Sequence, residues 1–348
     1  MANIRVGIIG VGRAARYHAA AVQQTGGLEL CVVAGRTREN TATFCSDTGC
    51  AARPVTIDEA LYSDGIDAII LAVPGAVQPK LAIAAFEAGK HVLCEKPLAA
   101  SLEEALRVED AWASSGRVGM VNFCYRLIPE IGEFGRLLKS GVCGEINLVQ
   151  VDWVLASRAN PHLAPNWKAY SETGGGVLNN YGVHVFDYLF HDCEDVEVVG
   201  ARTGSLFPTR KDEQGITHPV SGDERAVVML DAGYPVIVSL SLVTLPPIGH
   251  RVTVYGSKAT MELANHSVTS PAGPFSIACT GQAGAPARQH LPSSAKQDDF
   301  TLVYLFRRTA MLFSQAIRCN VIACSPNISD GVKATRLIAR TKDFALQR

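Results

Sequence analysis

The chain has 348 residues, 47% of them hydrophobic and 19% charged, with a formal net charge of -1. That length exceeds one small core and predicts two domains, and the near-neutral charge offers no basic field for nucleic acid or an anionic membrane surface. The uncharged run near residues 68–77 is broken by Pro74 and falls far short of the roughly 20 apolar residues of a membrane span.

Residues 6–9, an apolar run close to the N-terminus, predict a buried parallel strand and leave no room before it for a secretion signal, so a cytoplasmic protein is expected. The strand breaks at Gly10-Val11-Gly12-Arg13-Ala14-Ala15, and helix formers continue over residues 14–23. In this G-x-G-x-x-A turn Gly10 permits the tight bend, Gly12 lets backbone approach a pyrophosphate, and Ala15 lets the helix pack close to the strand. A strand-to-helix setting raises the motif above an ordinary glycine turn and points to a dinucleotide at the helix N-terminus, with Arg13 beside it. A second strand is predicted over residues 28–34, ending in Gly35-Arg36-Thr37-Arg38 with no acid before Glu39. An NAD site usually places a carboxylate there for the ribose hydroxyls, whereas Arg36 suits a 2′-phosphate, which favours NADP over NAD. In the alternative, Arg36 and Arg38 stack on adenine or face solvent.

Residues 67–73 predict another strand, closed by Pro74-Gly75, a second place for cofactor contact. A helix follows over 78–88 with Gly89 beyond its end, then a strand over 91–94 running into Glu95-Lys96-Pro97. Ser101 with Glu104 forms a capping box for a helix carrying Leu102, Leu106 and Trp112, and residues 118–124 add a last strand. Alternating strands and helices with short connections predict a doubly wound parallel α/β sheet, with a boundary near residue 122. Beyond it, a helix over 129–138 precedes strands at 146–156, 196–202, 226–230, 236–242, 251–255 and 260–263, the pattern of an α+β domain with an antiparallel sheet. Residues 204–223 and 270–296 read as long loops, and two helices, 298–318 and 329–345, finish the chain, the last expected to pack back on the first domain. The first of them carries Leu302, Leu305, Phe306, Leu312, Phe313 and Ile317 on its apolar face. Ten cysteines without C-x-x-C spacing predict buried free thiols rather than a disulfide framework or a metal site.

Two stretches carry the chemistry. Lys96 ends a parallel strand, at the sheet edge where open α/β sheets bind ligands, and Pro97 restrains the backbone that aims it; elsewhere such a lysine would be an ordinary surface residue. In the second half Gly174-Gly175-Gly176 precedes Asn180, His184 and Asp187 at helical spacing. The glycines are expected to let backbone approach a ligand, and a neutral imidazole at His184 suits acceptance of a hydroxyl proton. A lone histidine in an apolar helix is commonly a core residue, but the glycines and Asn180 favour a site.

The G-x-G-x-x-A turn with His18, the Glu95-Lys96-Pro97 triplet, and GGG-x-L-x-N-x-G-x-H-x-x-D together resemble the Gfo/Idh/MocA oxidoreductases, the glucose–fructose oxidoreductase and inositol dehydrogenase relatives. The resemblance extends to Tyr125-Arg126 with Pro129 and to Asp330-Gly331. It implies a Rossmann domain over 1–122 and a substrate and oligomerisation domain over 123–348 with a large, mainly antiparallel open sheet. It further implies a homodimer or homotetramer acting on a carbohydrate or cyclitol with NADP or NAD. Glu95 and Lys96 would then face the cofactor, Lys96 would touch substrate, and His184 would serve as acid/base. Tyr125, Arg126, Trp167 and Lys168 are candidate substrate contacts. Many members have Asp where this chain has Asn180, sugar-nucleotide 3-dehydrogenases resemble it in having Asn, and many have histidine where it has Gln78. Asn180 positions a hydroxyl without carrying charge, so His184 is drawn less toward its protonated form. The rival from another class is a cofactor-bound sensor without turnover; retention of both Lys96 and His184 argues for the enzyme.

Overall fold

A run of four fully apolar positions, Val6 with Ile8 and Ile9 around Gly7, explains why the chain starts in the middle of a sheet: each is almost completely buried, worth about 1.5–3 kcal/mol per large side chain. The computed structural model describes residues 2–268, 273–281 and 301–347, which divide into two compact units, Met1–Cys124 with Leu302–Thr335 and Tyr125–Thr301 with Arg336–Arg348.

The first unit runs β1 (Ile4–Ile9), α1 (Arg13–Gln23), β2 (Leu28–Ala34), α2 (Arg38–Thr48), β3 (Arg53–Val55), α3 (Ile57–Tyr62), β4 (Ala68–Leu71), α4 (Gln78–Glu87), β5 (His91–Cys94), α5 (Leu102–Ser115) and β6 (Gly119–Val121). The six strands form a parallel sheet in the order β3-β2-β1-β4-β5-β6. The order reverses between β1 and β4, which opens a crevice at their carboxyl ends. At the start of α5 one half of the expected capping box forms: the Ser101 side chain accepts from Glu104 N, while its hydroxyl donates to Glu104 Oε2 at 3.3 Å; Gly89, at φ +72°, follows α4 as expected. One face differs. Ala105, Val108 and Trp112 are the buried residues of α5, whereas Leu106 is 37% exposed.

The second unit contains α6 (Pro129–Lys139), β7 (Ile146–Val154), α7 (Val183–Phe190), β8 (Glu197–Gly204), β9 (Thr209–Lys211), β10 (Thr217–Pro219), β11 (Arg225–Asp231), β12 (Pro235–Ser241), β13 (Gly249–Gly256), β14 (Ala259–Asn265) and β15 (Ser276–Gly281). Seven strands form a sheet in the order β15-β14-β13-β7-β12-β11-β8, antiparallel except where β7 and β12 run parallel. The stretch 204–223, expected as loop, holds a small β9–β10 hairpin whose Arg210 is 1% exposed. Its guanidinium donates to Glu224 and to the carbonyls of Arg158 and Asn160, so a buried ion pair rather than an apolar strand organises it. Most of the other expected loop, 270–296, lies outside the described residues, although β15 falls within it.

Two helices complete the described residues, α8 (Leu302–Arg318) and α9 (Ile328–Leu346); the expected start of α8 at 298 lies outside them. Phe306 of α8 packs its ring 5.4 Å from Tyr17 and 4.6 Å from His18 on α1, which is why Leu302–Thr335 clusters with the first unit. All ten cysteines are free thiols.

Candidate active site

Register aligns the strand ends of the first sheet. Ile9 pairs with Ala34 and with Leu71, Leu71 with Cys94, and Cys94 with Val121, so Gly10, Gly35, Ala72, Glu95 and Asn122 leave the sheet side by side. Gly10 sits at φ +121°, and a Cβ there would lie 2.2 Å from the Ala72 carbonyl oxygen, so only glycine fits between β1 and the end of β4. Gly12 is the opposite case. A Cβ there meets nothing within 4 Å, and no side chain caps the helix that Gly12 opens. Bare amides over open space, with Ala15 completely buried behind them, fit a dinucleotide diphosphate. The exposed Arg13 donates from Nε to Tyr17 Oη at 2.9 Å. Arg36 is exposed just past β2, outside α2, whose first turn begins after the Thr37 cap. Pro74 is half-buried, and a Cβ on Gly75 would come 3.1 Å from Pro97 Cγ, so the turn after β4 rests on the turn that carries Lys96.

The Glu95 side chain turns into the protein. Its Oε1 accepts from His18 Nε2 at 2.8 Å and from Asn122 Nδ2 at 2.6 Å, and Asn122 Oδ1 accepts from Thr309 Oγ1 of α8 at 2.9 Å. All four side chains are buried, and the carboxylate's desolvation is offset by these donors. The Lys96 amide donates to Glu95 Oε2 at 3.3 Å. Burial holds the Lys96 ammonium below the ordinary lysine range, while Glu95 and the Cys124 thiol pull the other way.

In the second unit two of the three glycines, Gly175 and Gly176, are packed against the chain itself, and Gly174 takes a positive φ of +83° at the end of a turn. A Cβ on Gly175 would stand 2.6 Å from the carbonyls of Lys168 and Tyr170, and one on Gly176, at φ +96°, would stand 2.4 Å from Asp223 Oδ1. Where the sequence suggests backbone close to a ligand, Gly175 and Gly176 bring it close to Asp223 and to the Trp167–Ala169 turn. Asp223 holds the start of the following helix, accepting from Leu178 N at 2.9 Å on Oδ2 and from Val177 N at 2.6 Å on its carbonyl. Burial raises the pKa of this carboxyl, against the Leu178 amide that lowers it.

That helix begins as a π turn, Leu178–Gly182, before α7. Asn180, in the π turn, donates from Nδ2 to Gly176 O at 2.7 Å, and His184, in α7, is 4% exposed. The His184 ring centre lies 4.5 Å from that of Tyr125 and 6.4 Å from that of Trp153 on β7. Trp153 in turn stacks on His250 of β13 at 4.0 Å and 4°, and His250 Nε2 meets Tyr188 Oη at 2.9 Å. Burial pushes the His250 pKa down to about 3. Tyr125 thus adjoins His184. Arg126 instead forks onto Asp187 of α7, with Nε donating to Oδ2 at 3.0 Å and Nη2 to Oδ1. Lys168 lies 5.6 Å over the Trp167 ring, and the carbonyls of both residues accept from the glycine stretch, from Thr173 Oγ1 at 2.5 Å and from Gly176 N at 3.0 Å.

Sequence reasoning overlooked Asn122, Thr309, Asp223, Trp153 and His250 as neighbours of the predicted residues. Asn122 carried a signal, a polar residue just beyond a buried strand; the others are joined only by tertiary contacts.

Comparison with known proteins agrees with both units. A family model described as oxidoreductase family, NAD-binding Rossmann fold, matches residues 4–123, and one described as GFO/IDH/MocA C-terminal domain matches residues 133–262. An uncharacterized oxidoreductase of Synechocystis sp. is 27% identical over 270 residues, 76% of this chain and 73% of its own. An inositol 2-dehydrogenase of Corynebacterium glutamicum is 24% identical over 277 residues, covering 78% and 75%. Among solved structures, a levoglucosan dehydrogenase in complex with NADH and L-sorbose has a TM-score of 0.84 at 21% identity, covering 100% of this chain and 98% of that one.

Proposed function

Because this chain belongs to the Gfo/Idh/MocA family of oxidoreductases, we propose that it interconverts a secondary alcohol and a ketone on a sugar, sugar derivative or cyclitol. The class is that of its relatives, NAD(P)-dependent oxidoreductases acting on CH–OH groups. The observation that carries the substrate reading is Lys96 at a strand end level with the open glycine turn, in a chain that also holds His184 against an aromatic wall.

Gly10, Gly12 and Ala15 with the first turn of α1 would hold the diphosphate, Arg13, Pro74 and Glu95 would border the cofactor, and Arg36 the adenosine ribose. The nicotinamide, when bound, accepts or donates the hydride. In the oxidative direction His184 takes the hydroxyl proton, Lys96 stabilises the developing alkoxide, and Asn180 orients the hydroxyl. Hydride leaves the carbinol carbon as that proton leaves its oxygen, so the alcohol becomes a ketone and His184 returns the proton to solvent. Tyr125, Trp167 and Lys168 are the substrate contacts of this reading, and Arg126 contributes by holding Asp187 on the helix of His184.

An arginine at 36 without a neighbouring acid supports NADP over NAD. Replacing Arg36 by Ala should weaken NADPH at least about tenfold and leave NADH nearly unchanged, read by nicotinamide fluorescence; tighter NADH binding by the wild type would overturn the preference. Asn180 favours one narrower reading, a sugar-nucleotide 3-dehydrogenase or the reverse ketosugar reductase. Turnover with a panel of sugars, sugar nucleotides and cyclitols tests the substrate class, and binding of NADPH without turnover on any of them would favour the sensor. No described helix is long and apolar enough to cross a membrane, and a cytoplasmic location is a separate part of the proposal. Self-association through the second sheet is part of the same proposal: Val199, Val227, Met229 and Tyr255 are each at least 40% exposed on it. Light scattering of the purified chain gives the oligomeric state.

A further inference from the structure

Gln78 is the first residue of α4, is completely buried, and spends its whole carboxamide on the backbone around Lys96. Its Oε1 accepts from Glu95 N at 3.0 Å. Its Nε2 donates to the carbonyls of Glu95 at 2.6 Å, Pro97 at 3.0 Å and Leu98 at 3.1 Å. These four backbone groups flank Lys96 on both sides and include none of its own. Where β5 ends, three carbonyls turn inward with no strand left to donate to them, and a buried carbonyl without a donor is costly. An amide nitrogen with two hydrogens serves all three by sharing one hydrogen, and the amide oxygen meets the single N–H. No other side chain of this length offers both: a glutamate would set a carboxylate against three carbonyl oxygens, and a methionine would leave all four groups without this partner.

With the peptide group before Lys96 held at the Glu95 carbonyl, and the chain just beyond it held at the Pro97 and Leu98 carbonyls, the backbone on both sides of Lys96 is restrained and with it the Cα–Cβ direction. We propose that Gln78 is a positioning residue for Lys96, aiming its ammonium through the backbone rather than by touching it. The inference rests on the reading of Lys96 as the group that faces the reacting oxygen. Two further contacts, made by backbone and by Pro97, tie this corner to the turn after β4. Gln78 N donates to Pro74 O at 3.1 Å, and the Pro74-Gly75 turn packs on Pro97. The Glu95 side chain is anchored separately, by His18 and Asn122, so removing Gln78 should disturb the backbone at 95–98 without releasing that carboxylate.

The test compares wild type with Gln78→Met, which keeps length and loses every hydrogen bond, and Gln78→His, which keeps at most one donor and one acceptor. Measurements are kcat, KM, the dissociation constant of NADPH, and the side-chain 15Nζ resonance of Lys96, assigned by its disappearance in Lys96→Met. Gln78→Met should lower kcat by about ten- to a hundredfold, the scale of an ångström's misplacement, with NADPH affinity nearly kept, and should move the Lys96 resonance; Gln78→His should recover part of both. An unchanged Lys96 resonance and kcat in folded Gln78→Met would overturn the proposal. So would loss of NADPH affinity in parallel with kcat, which marks general damage, or failure of both variants to fold, which marks a need of the core. Should Lys96→Met keep full turnover, the role of Lys96 falls while the resonance still reports whether Gln78 aims it.

Discussion

Lys96 and His184 are held by opposite means. Around Lys96 the surroundings are polar: Gln78 ties the backbone, and His18, Asn122 and Thr309 tie the neighbouring carboxylate. Around His184 they are aromatic: Tyr125, then Trp153, then His250. The difference follows the work proposed for each. A cation that must stay charged in a partly buried place needs a carboxylate nearby and a rigid backbone, and both are supplied by hydrogen bonds with defined directions. A base that must be neutral before it accepts a proton is better served by walls that add no charge.

If that contrast is functional, the two sides should break differently. His184→Asn removes the proton acceptor and should cost about 10²–10⁴ in kcat, the usual contribution of a general base. Lys96→Met removes only charge stabilisation and should cost about 10²–10³, with NADPH affinity little changed. Because both residues are assigned to one reacting hydroxyl, the double variant should be less impaired than the product of the two losses. Full multiplicativity would mean that they serve separate events, and the shared-hydroxyl assignment would be withdrawn.

The strand end that carries Lys96 was legible in the sequence; the hydrogen bonds that tie it, and the aromatic side, were not. Strand ends in a parallel sheet are local: a run such as Val92-Leu93-Cys94 announces where it stops, and register then places Gly10, Glu95 and Asn122 together without further information. The glycine turn could be read for the same reason, since Gly10 and Gly12 answer to backbone demands. Around His184 the partners come from residues 125, 153 and 250, brought together by β7–β13 pairing in which His250 lies opposite Trp153. Nothing local marks that register. The triple glycine suggests a ligand approach because nothing local announces the neighbour of Gly176, Asp223, which is 47 residues beyond it at the end of a stretch that resembles a loop. The π turn was hidden as well, because Asn180 and His184 at a spacing of four fit an ordinary helix.

Asp223 sharpens the comparison from the aromatic side, since it is the polar anchor there. Asp223→Ala leaves the Leu178 amide without its acceptor and should lower stability by about 1–2 kcal/mol, measured by urea denaturation. It should also reduce kcat modestly, because the segment bearing Asn180 and His184 starts at that bond. Loss of stability with unchanged kcat would show that the start of the helix and the imidazole are independent.

His250 provides the last test, read as a slope of stability against pH. Its folded pKa of about 3 lies below the ordinary 6.5, because burial disfavours the charged ring. The unfolded chain therefore binds a proton that the folded one refuses, so the neutral ring's contribution is whole above about pH 6.5 and is lost as pH falls toward 3. The loss should run at about 1.4 kcal/mol per pH unit inside that window. His91, lowered to about 4 by burial and by Arg117, adds the same sign between 6.5 and 4. His250→Gln keeps a partner for Tyr188 and removes one of these two protons, so its stability should fall less steeply than wild type from pH 6 to 4. Its cost relative to wild type should be greatest at neutral pH and shrink in acid. Parallel pH profiles for the two proteins would mean that His250 takes up its proton while folded, and a charged ring stacked at 4.0 Å on Trp153 would then replace the neutral wall described for His184.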